Sequence, residues 1–348
     1  LLEVTDEEVK THLEKNHSEE VDRFEQAIKD WDSKKERPKM IQALWDVGPP
    51  PPQYILTRGD YEKPGFQVTP GVFAVLDDAQ SPFTVPPSEP GVSTSGYRTA
   101  LGRWLVRENH PLTSRVYVNR VWQRLFGQGL VRTVDDLGVM GEAPSHPQLL
   151  DYLAAEFVDN GWSLKWLIRR LVLSRVYALS SHPQEKSEQA DPANRLLHRM
   201  PLRRLSAESI RDTMLILSGR LNSTMEGPSV PAYYTSRNKS YQIEQPSGPA
   251  DGAGRRCIYL EVRRNQPLEL LTTFGRPVSL TTVGQRDQSP TTAQPLTLLN
   301  NPFVHQQAQL WAKRLLQESD VSRTARIRQA FWMAFSRYPE QWEILAGL

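Results

Sequence analysis

Apolar residues recur at helical spacing along most of the chain, and one proline-dense stretch interrupts them. Near the N-terminus Val9, Leu13, Val21, Phe24, Ile28 and Trp31 punctuate a heavily charged segment. Thr5 followed by Glu8 has the spacing of a capping box, with acids filling the first turn. The pattern predicts a solvated helical pair, or an extended arm with one apolar face, over residues 1–45. Over residues 46–96 prolines take over. Ten of the 27 fall between Pro49 and Pro90, each removing an amide donor and fixing φ, so no long helix passes through. The alternation in Tyr54-Ile55-Leu56-Thr57 predicts a short strand that runs into a turn at Arg58-Gly59-Asp60-Tyr61. The Arg-Gly-Asp triplet admits an adhesion reading, or a turn in which Arg58 ties down a neighbouring carbonyl or carboxylate. The whole segment is expected to be an extended strap laid over a larger body.

From Tyr97 to the end at residue 348 the period is that of helices. Leu101, Trp104 and Leu105 share one side of the first. Thr113 is the expected N-cap of the next, whose Tyr117, Val121 and Leu125 fall beside Val118, Trp122 and Phe126; Gly127 or Gly129 ends it in the left-handed region. Ser145-His146-Pro147-Gln148 reads as a second capping box, opening a helix that turns Leu149, Leu150, Leu153 and Phe157 inward until Gly161. Ser163 starts another, with Leu164, Leu167, Ile168, Leu171 and Val172 inward. A helix from Ser206 to Gly219 buries Ile210, Met214 and Leu217. Asn301-Pro302 opens one bearing Val304, Ala308, Trp311 and Leu315, and Ile327, Phe331 and Phe335 mark the last. Residues 220–300 are less helical, and Arg256-Cys257-Ile258-Tyr259-Leu260-Glu261-Val262 alternates as a strand would. The expected class is mainly α: a multi-helix orthogonal bundle with a Pro-rich strap and a few short β-strands.

Composition narrows the function classes. With 348 residues the chain holds two domains, or one large one with appendages, and 39% hydrophobic residues suffice for a real core. No apolar run approaches the ~20 residues that a membrane-spanning helix needs. A single cysteine, Cys257, rules out an internal disulfide framework, a cysteine-based zinc site and a c-type haem attachment motif. Cys257 itself reads as a small buried hydrophobe. The formal charge of +2 conceals an asymmetry: residues 1–96 carry 10 basic and 18 acidic side chains, residues 97–348 carry 32 and 22. In the second part 28 of the basic residues are Arg, whose planar fork grips carboxylates and phosphates through two bonds. Arg serves there as internal struts or as a site for an anion such as an acidic or sulfated sugar. Acids interleave with the Arg throughout, so nucleic acid is not an expected partner.

Long stretches resemble a known family. The run NHPLTSRVYVNRVWQRLFGQGLVRTVDDLGVMGEAPSHPQLLDYLAAEFVDNGWSLKWLIRRLVLS is similar to the planctomycete family catalogued as domain of unknown function 1553. DPANRLLHRMPLRRLSAESIRD, RRCIYLEVRRNQPLELLTTF, VGQRD and LTLLNNPFV agree, as does DVGPPPPQYILTRGDYEKPG upstream, so the resemblance spans about residues 45–340. It implies a large exported protein, periplasmic or at the cell surface, of planctomycetes or related bacteria. Such proteins often carry a c-type cytochrome domain on the N-terminal side, and sometimes a sugar-binding module. Any haem would then sit on that upstream domain, which is also a docking partner; the segment itself is expected to hold no cofactor. The family supplies no catalytic residue set. Leu1 is not Met and no signal-peptide pattern follows it, so targeting information is expected on a longer precursor; Leu348 falls where relatives continue.

Three polar constellations stand out. Asp135, Asp136, Glu142 and His146 share a loop between two helices, where they could supply acid–base chemistry or hold a divalent ion; either Asp could instead cap the turn at Gly138. Spacing supplies no third strong ligand for a zinc site, so none is expected. Arg203 and Arg204 precede Glu208, Arg211 and Asp212, which share a helix face and suit either a buried lattice reaching Arg120 or Arg124, or an anion pocket. Arg263-Arg264-Asn265 and Gln285-Arg286-Asp287 flank a surface loop, and these two motifs are expected to converge with the Asp135–His146 loop if a pocket exists. Trp104, Trp122, Trp162, Trp166 and Trp311 fall at core spacing, with Trp162 after Gly161 the best placed to stack a sugar. Two functions are consistent with this. One is a helical module that docks to a partner protein, the haem domain or polysaccharide. The other is an enzyme acting on complex, anionic carbohydrate through the loop carboxylates and His146.

Overall fold

The computed structural model describes residues 15–34, 43–44, 50–86, 94–232, 248–264, 267–277, 282–287, 289–317 and 322–348. Thr5, Glu8, Val9, Leu13 and Asn265 lie outside the described residues. Among those described there are 12 α-helices and one two-stranded sheet, a mainly α fold. The chain divides into two compact units, Leu1–Gly102 and Arg103–Leu348.

In the first unit, helix α1 (Lys15–Lys34) leaves Phe24, Ile28 and Trp31 exposed. Strand β1 (Gln53–Leu56) pairs antiparallel with β2 (Pro64–Val68), setting Gln53 opposite Val68 and Leu56 opposite Pro64, with an irregularity between Tyr54 and Leu56. The expected strand is therefore present, and the residues after it turn. Arg58 takes φ 55° within the single 3₁₀ turn Thr57–Gly59. Lys63, not Arg58, holds the Asp60 carboxylate, at 2.9 Å.

The second unit carries the main core. After α2 (Tyr97–Leu105), helices α3 (Thr113–Phe126), α4 (Pro147–Asp159) and α5 (Leu164–Val172) bury Val118, Trp122, Phe126, Leu150, Leu153, Phe157, Leu167 and Leu171 against one another. Leu164 and Ile168 of α5 face solvent instead, because a nine-residue helix inserts only one narrow stripe. Gly127 (φ 85°) terminates α3. Gly129 is constrained by space rather than by φ: Asn119, fully buried, exchanges two 2.9 Å hydrogen bonds with the Val131 backbone, and a Cβ at 129 would lie 2.4 Å from the Val131 carbonyl. A smaller core follows α6 (Glu185–Ala190) and gathers Ala207, Ala232, Cys257, Leu260 and Leu271 around α7 (Ala207–Ser218) and α8 (Glu269–Thr273). Helices α9 (Ala293–Asn300), α10 (Pro302–Gln317), α11 (Arg323–Phe335) and α12 (Gln341–Gly347) complete the unit.

Three local expectations are corrected. Thr113 is the first helical residue of α3 and Leu112 its N-cap, which makes no side-chain capping bond; the Nδ1 of His110 accepts the backbone N–H groups of Leu112 (3.2 Å) and Thr113 (3.1 Å). No capping box opens α4: Ser145 Oγ bonds His146 Nδ1 at 2.9 Å, and Pro147 begins the helix with no amide hydrogen to satisfy. The stretch 256–262 is a 3₁₀ turn, Cys257–Tyr259, not a strand. Its buried positions are Cys257 and Leu260 while Ile258 is 78% exposed, a period of three. Just upstream of it, Arg211, 3% exposed, gathers the chain around its guanidinium. Its Nη2 donates to the Asp251 carbonyl at 2.7 Å and its Nη1 to the Arg255 carbonyl at 3.0 Å. Ser163 and Ser206 cap their helices as expected, accepting from the N–H groups of Trp166 and Ser209.

Candidate anion-binding site

The ends of α3 and α7 and the segments 200–206, 274–277 and 282–287 border a solvent-open cavity of about 1430 Å³. Arg124, Arg203, Arg204, Arg276 and Arg286 line it, against Glu208 and Asp287. The N-terminus of α7 also borders it through Leu205, Ser206 and Glu208, adding the positive end of a helix dipole.

Each element is anchored by a different polar contact. Arg203 crosses to the end of α3 and donates to the Arg124 carbonyl, its aliphatic stem lying against Gly127. Arg204 donates to Gln294 Oε1 at 2.8 Å, and the buried Gln294 amide donates to the carbonyls of Thr273 (3.2 Å) and Ser289 (3.3 Å). Arg286 Nη1 reaches Glu208 Oε2 at 2.6 Å. Burial resists ionisation of Glu208, but the Arg286 hydrogen bond and charge outweigh it, and the carboxyl sits below its usual range. Asp287 accepts from the Ser289 backbone N–H at 2.8 Å, and hydrogen bonds from the Ser289 backbone and side chain likewise hold its carboxyl low. Among the described residues the guanidinium groups of Arg124 and Arg276 have no hydrogen-bond partner.

The loop 135–146 touches this wall at one point. Asp135 Oδ1 accepts from Arg120 of α3 at 2.9 Å, and its Oδ2 accepts from the Gly284 backbone N–H at 2.7 Å. The other loop candidates do not line the cavity. Asp136 closes the turn at Gly138, accepting from its N–H at 2.8 Å. Glu142 contributes its backbone N–H to Thr133 Oγ1, and His146 is bound to Ser145. Among the described residues no three His, Cys, Asp or Glu side chains are placed to hold a metal ion.

The structure thus brings together Arg203, Arg204, Arg286 and Asp287, with Asp135 and Arg120 behind Gly284. Arg263, which meets Glu261 at 3.0 Å, and Arg264 are not part of the lining. The lattice expected to run from Glu208, Arg211 and Asp212 to the side chains of Arg120 or Arg124 is divided. Glu208 faces the cavity, while Arg211 turns inward to Asp212, Asp251, Arg255 and Cys257. Trp162, partly buried, packs edge-on against Phe157 at 5.3 Å beside the main core and does not line the cavity. Sequence reasoning missed Arg276 and Gln294. The one available signal was Gly275-Arg276-Pro277, a loop-borne Arg in a turn that Gly275 (φ 83°) permits.

The family model for PSD1, described as a protein of unknown function (DUF1553), matches residues 97–347. The chain belongs to the DUF1553 family. Every residue lining the cavity of this DUF1553 chain lies inside the match. No curated protein matches the chain. No solved structure matches it either. Among the described residues no helix is long and apolar enough to cross a membrane.

Proposed function

We propose that this DUF1553 chain is a non-catalytic binding module whose arginine-lined cavity docks an anionic polymer, a carboxylated or sulfated polysaccharide. The observation that carries the reading is the balance of the lining, five guanidinium groups against two carboxylates, with two of the five unpartnered among the described residues. A cavity of about 1430 Å³ exceeds the ~300–1,000 Å³ of most small-molecule pockets and suits a polymer segment. Following the family resemblance, the module belongs to an exported planctomycete-type protein, periplasmic or at the cell surface, with any haem on an upstream c-type cytochrome domain.

The enzymatic alternative has less support. A glycosidase needs two carboxyls ~5–10 Å apart across its cleft, one of them held protonated to serve as the acid. Glu208 and Asp287 are both shifted toward ionisation. Asp135 already accepts two hydrogen bonds, and Asp136, Glu142 and His146 lie outside the lining.

Calorimetric titration with polygalacturonate and chondroitin sulfate tests the proposal. Binding is expected at low salt, weakening as salt screens the charges, and roughly tenfold weaker in Arg276→Ala or Arg124→Ala. No binding to either polymer, or binding indifferent to both substitutions, overturns it. Release of reducing ends replaces it with the enzyme reading.

A further inference from the structure

A second concavity lies on the α4–α5 face of the larger unit. Its volume is about 510 Å³, inside the ~300–1,000 Å³ range of small-molecule sites. Tyr152 of α4 forms one wall and Trp166, Arg169 and Arg170 of α5 the other; Trp122 of α3 contributes to its base and Leu173 to its rim. Trp166, Arg169, Arg170 and Leu173 follow one another at i, i+3, i+4 and i+7, so they form a single helix face. That face is not covered by the rest of the unit: Leu173 is 76% exposed and Tyr152 half exposed. No carboxylate lines the groove.

The polar groups gather in one sense. Arg170 donates from Nη2 to the Tyr152 hydroxyl at 3.2 Å, tying the two walls together. The Arg169 guanidinium has no hydrogen-bond partner among the described residues. In a trough of two indoles, a phenol ring and aliphatic side chains, the charged lining groups are therefore both cations. Such a site favours a ligand with an aliphatic or aromatic body and one anionic head, since a cationic head would meet like charge and an uncharged one would gain nothing from the two guanidinium groups. The length also sets the class. From Trp166 to Leu173 the wall runs seven residues, about 10 Å at the rise of an α-helix. A stable protein partner needs roughly 800 Å² on each side, far more than this trough supplies.

We infer that the groove between α4 and α5 binds a small anionic amphiphile, a medium-chain or aryl carboxylate, with its apolar body over Trp166 and Trp122 and its carboxylate at Arg169. The site is separate from the arginine-lined cavity and shares no lining residue with it.

Decanoate, titrated into the whole chain and followed by tryptophan fluorescence and calorimetry, is the probe; decanol and decyltrimethylammonium are its uncharged and cationic counterparts. Saturable decanoate binding is expected, at least tenfold tighter than either counterpart. Arg169→Glu is expected to weaken it roughly tenfold, the scale of one charge-assisted hydrogen bond. Leu173→Asp, at an exposed rim position that the fold does not need, is expected to weaken it similarly. Binding of the three amphiphiles with equal affinity overturns the inference. So does decanoate binding that both variants retain, or no saturable binding at all.

Discussion

Asp135 and Gly284, 149 residues apart, meet through a 2.7 Å hydrogen bond from the Gly284 N–H to Oδ2. The approach requires glycine, since a Cβ at 284 would lie 2.4 Å from both carboxylate oxygens. The carboxylate that sequence reading offered as an acid–base candidate is thus a fastening for one wall of the cavity. Asp135→Ala is expected to cost about 1 kcal/mol in urea unfolding, because its Arg120 pair is half exposed and only the backbone contact is short. Gly284→Ala is expected to weaken polygalacturonate binding more than it lowers stability, since the clash displaces the segment that carries Arg286.

Asp136→Ala and His146→Ala are expected to bind anionic polymers as the parent does. Asp136 serves the turn at Gly138 and His146 the start of α4. Altered affinity in either, with unchanged stability, would restore the loop as part of the site.

Arg211 is the polar centre of the smaller core. Replacing it with Leu leaves the Asp251 and Arg255 carbonyls without its donors and strips Asp212 of an ion-pair partner. A loss of about 3–5 kcal/mol in denaturant unfolding is expected, the range for breaking a buried charged network.

His110 makes stability depend on mild acid. Burial, and then the charge of Arg107, lower its pKa below the ordinary 6.5. Both states are neutral above 6.5. As pH falls below that value the unfolded chain takes up a proton that the folded chain refuses, and stability declines. Protonation would also remove the acceptor for the Leu112 and Thr113 N–H groups. His110→Asn, which keeps an acceptor but does not titrate, should flatten the slope below pH 6.5, at a cost near 1 kcal/mol.

Cys257 is expected to resist thiol reagents in the native state. It is 5% exposed, and burial pushes its thiol from 9.0 up to about 12, with Arg211 only partly opposing this. Modification by iodoacetamide should follow the unfolding equilibrium. Above pH 9 the unfolded thiol ionises while the folded one holds its proton until about 12, so stability falls across that window. Cys257→Ala should reduce the alkaline loss.

Amphipathic spacing by itself determined α2, α3, α4, α5, α7, α10 and α11, the serine caps at 163 and 206, and the glycines that follow α3, α4 and α7, while the short helices α6, α8, α9 and α12 escaped it. Those features depend on residues within a few positions of one another, where period and capping chemistry act directly. The short strand at Tyr54 was legible for the same reason. What the tertiary structure alone decided is the use of each polar side chain. Arg211 turned inward, where the Asp251 and Arg255 carbonyls meet its guanidinium, while Glu208, one turn earlier, faced the cavity, and 256–262 formed a 3₁₀ turn in place of the strand. Asp135 left the loop cluster for Gly284, and Arg276 entered a site that its local sequence barely marked. A charged group is placed by whichever distant donor or acceptor lowers its desolvation cost, and that partner is set by packing between segments far apart in the chain.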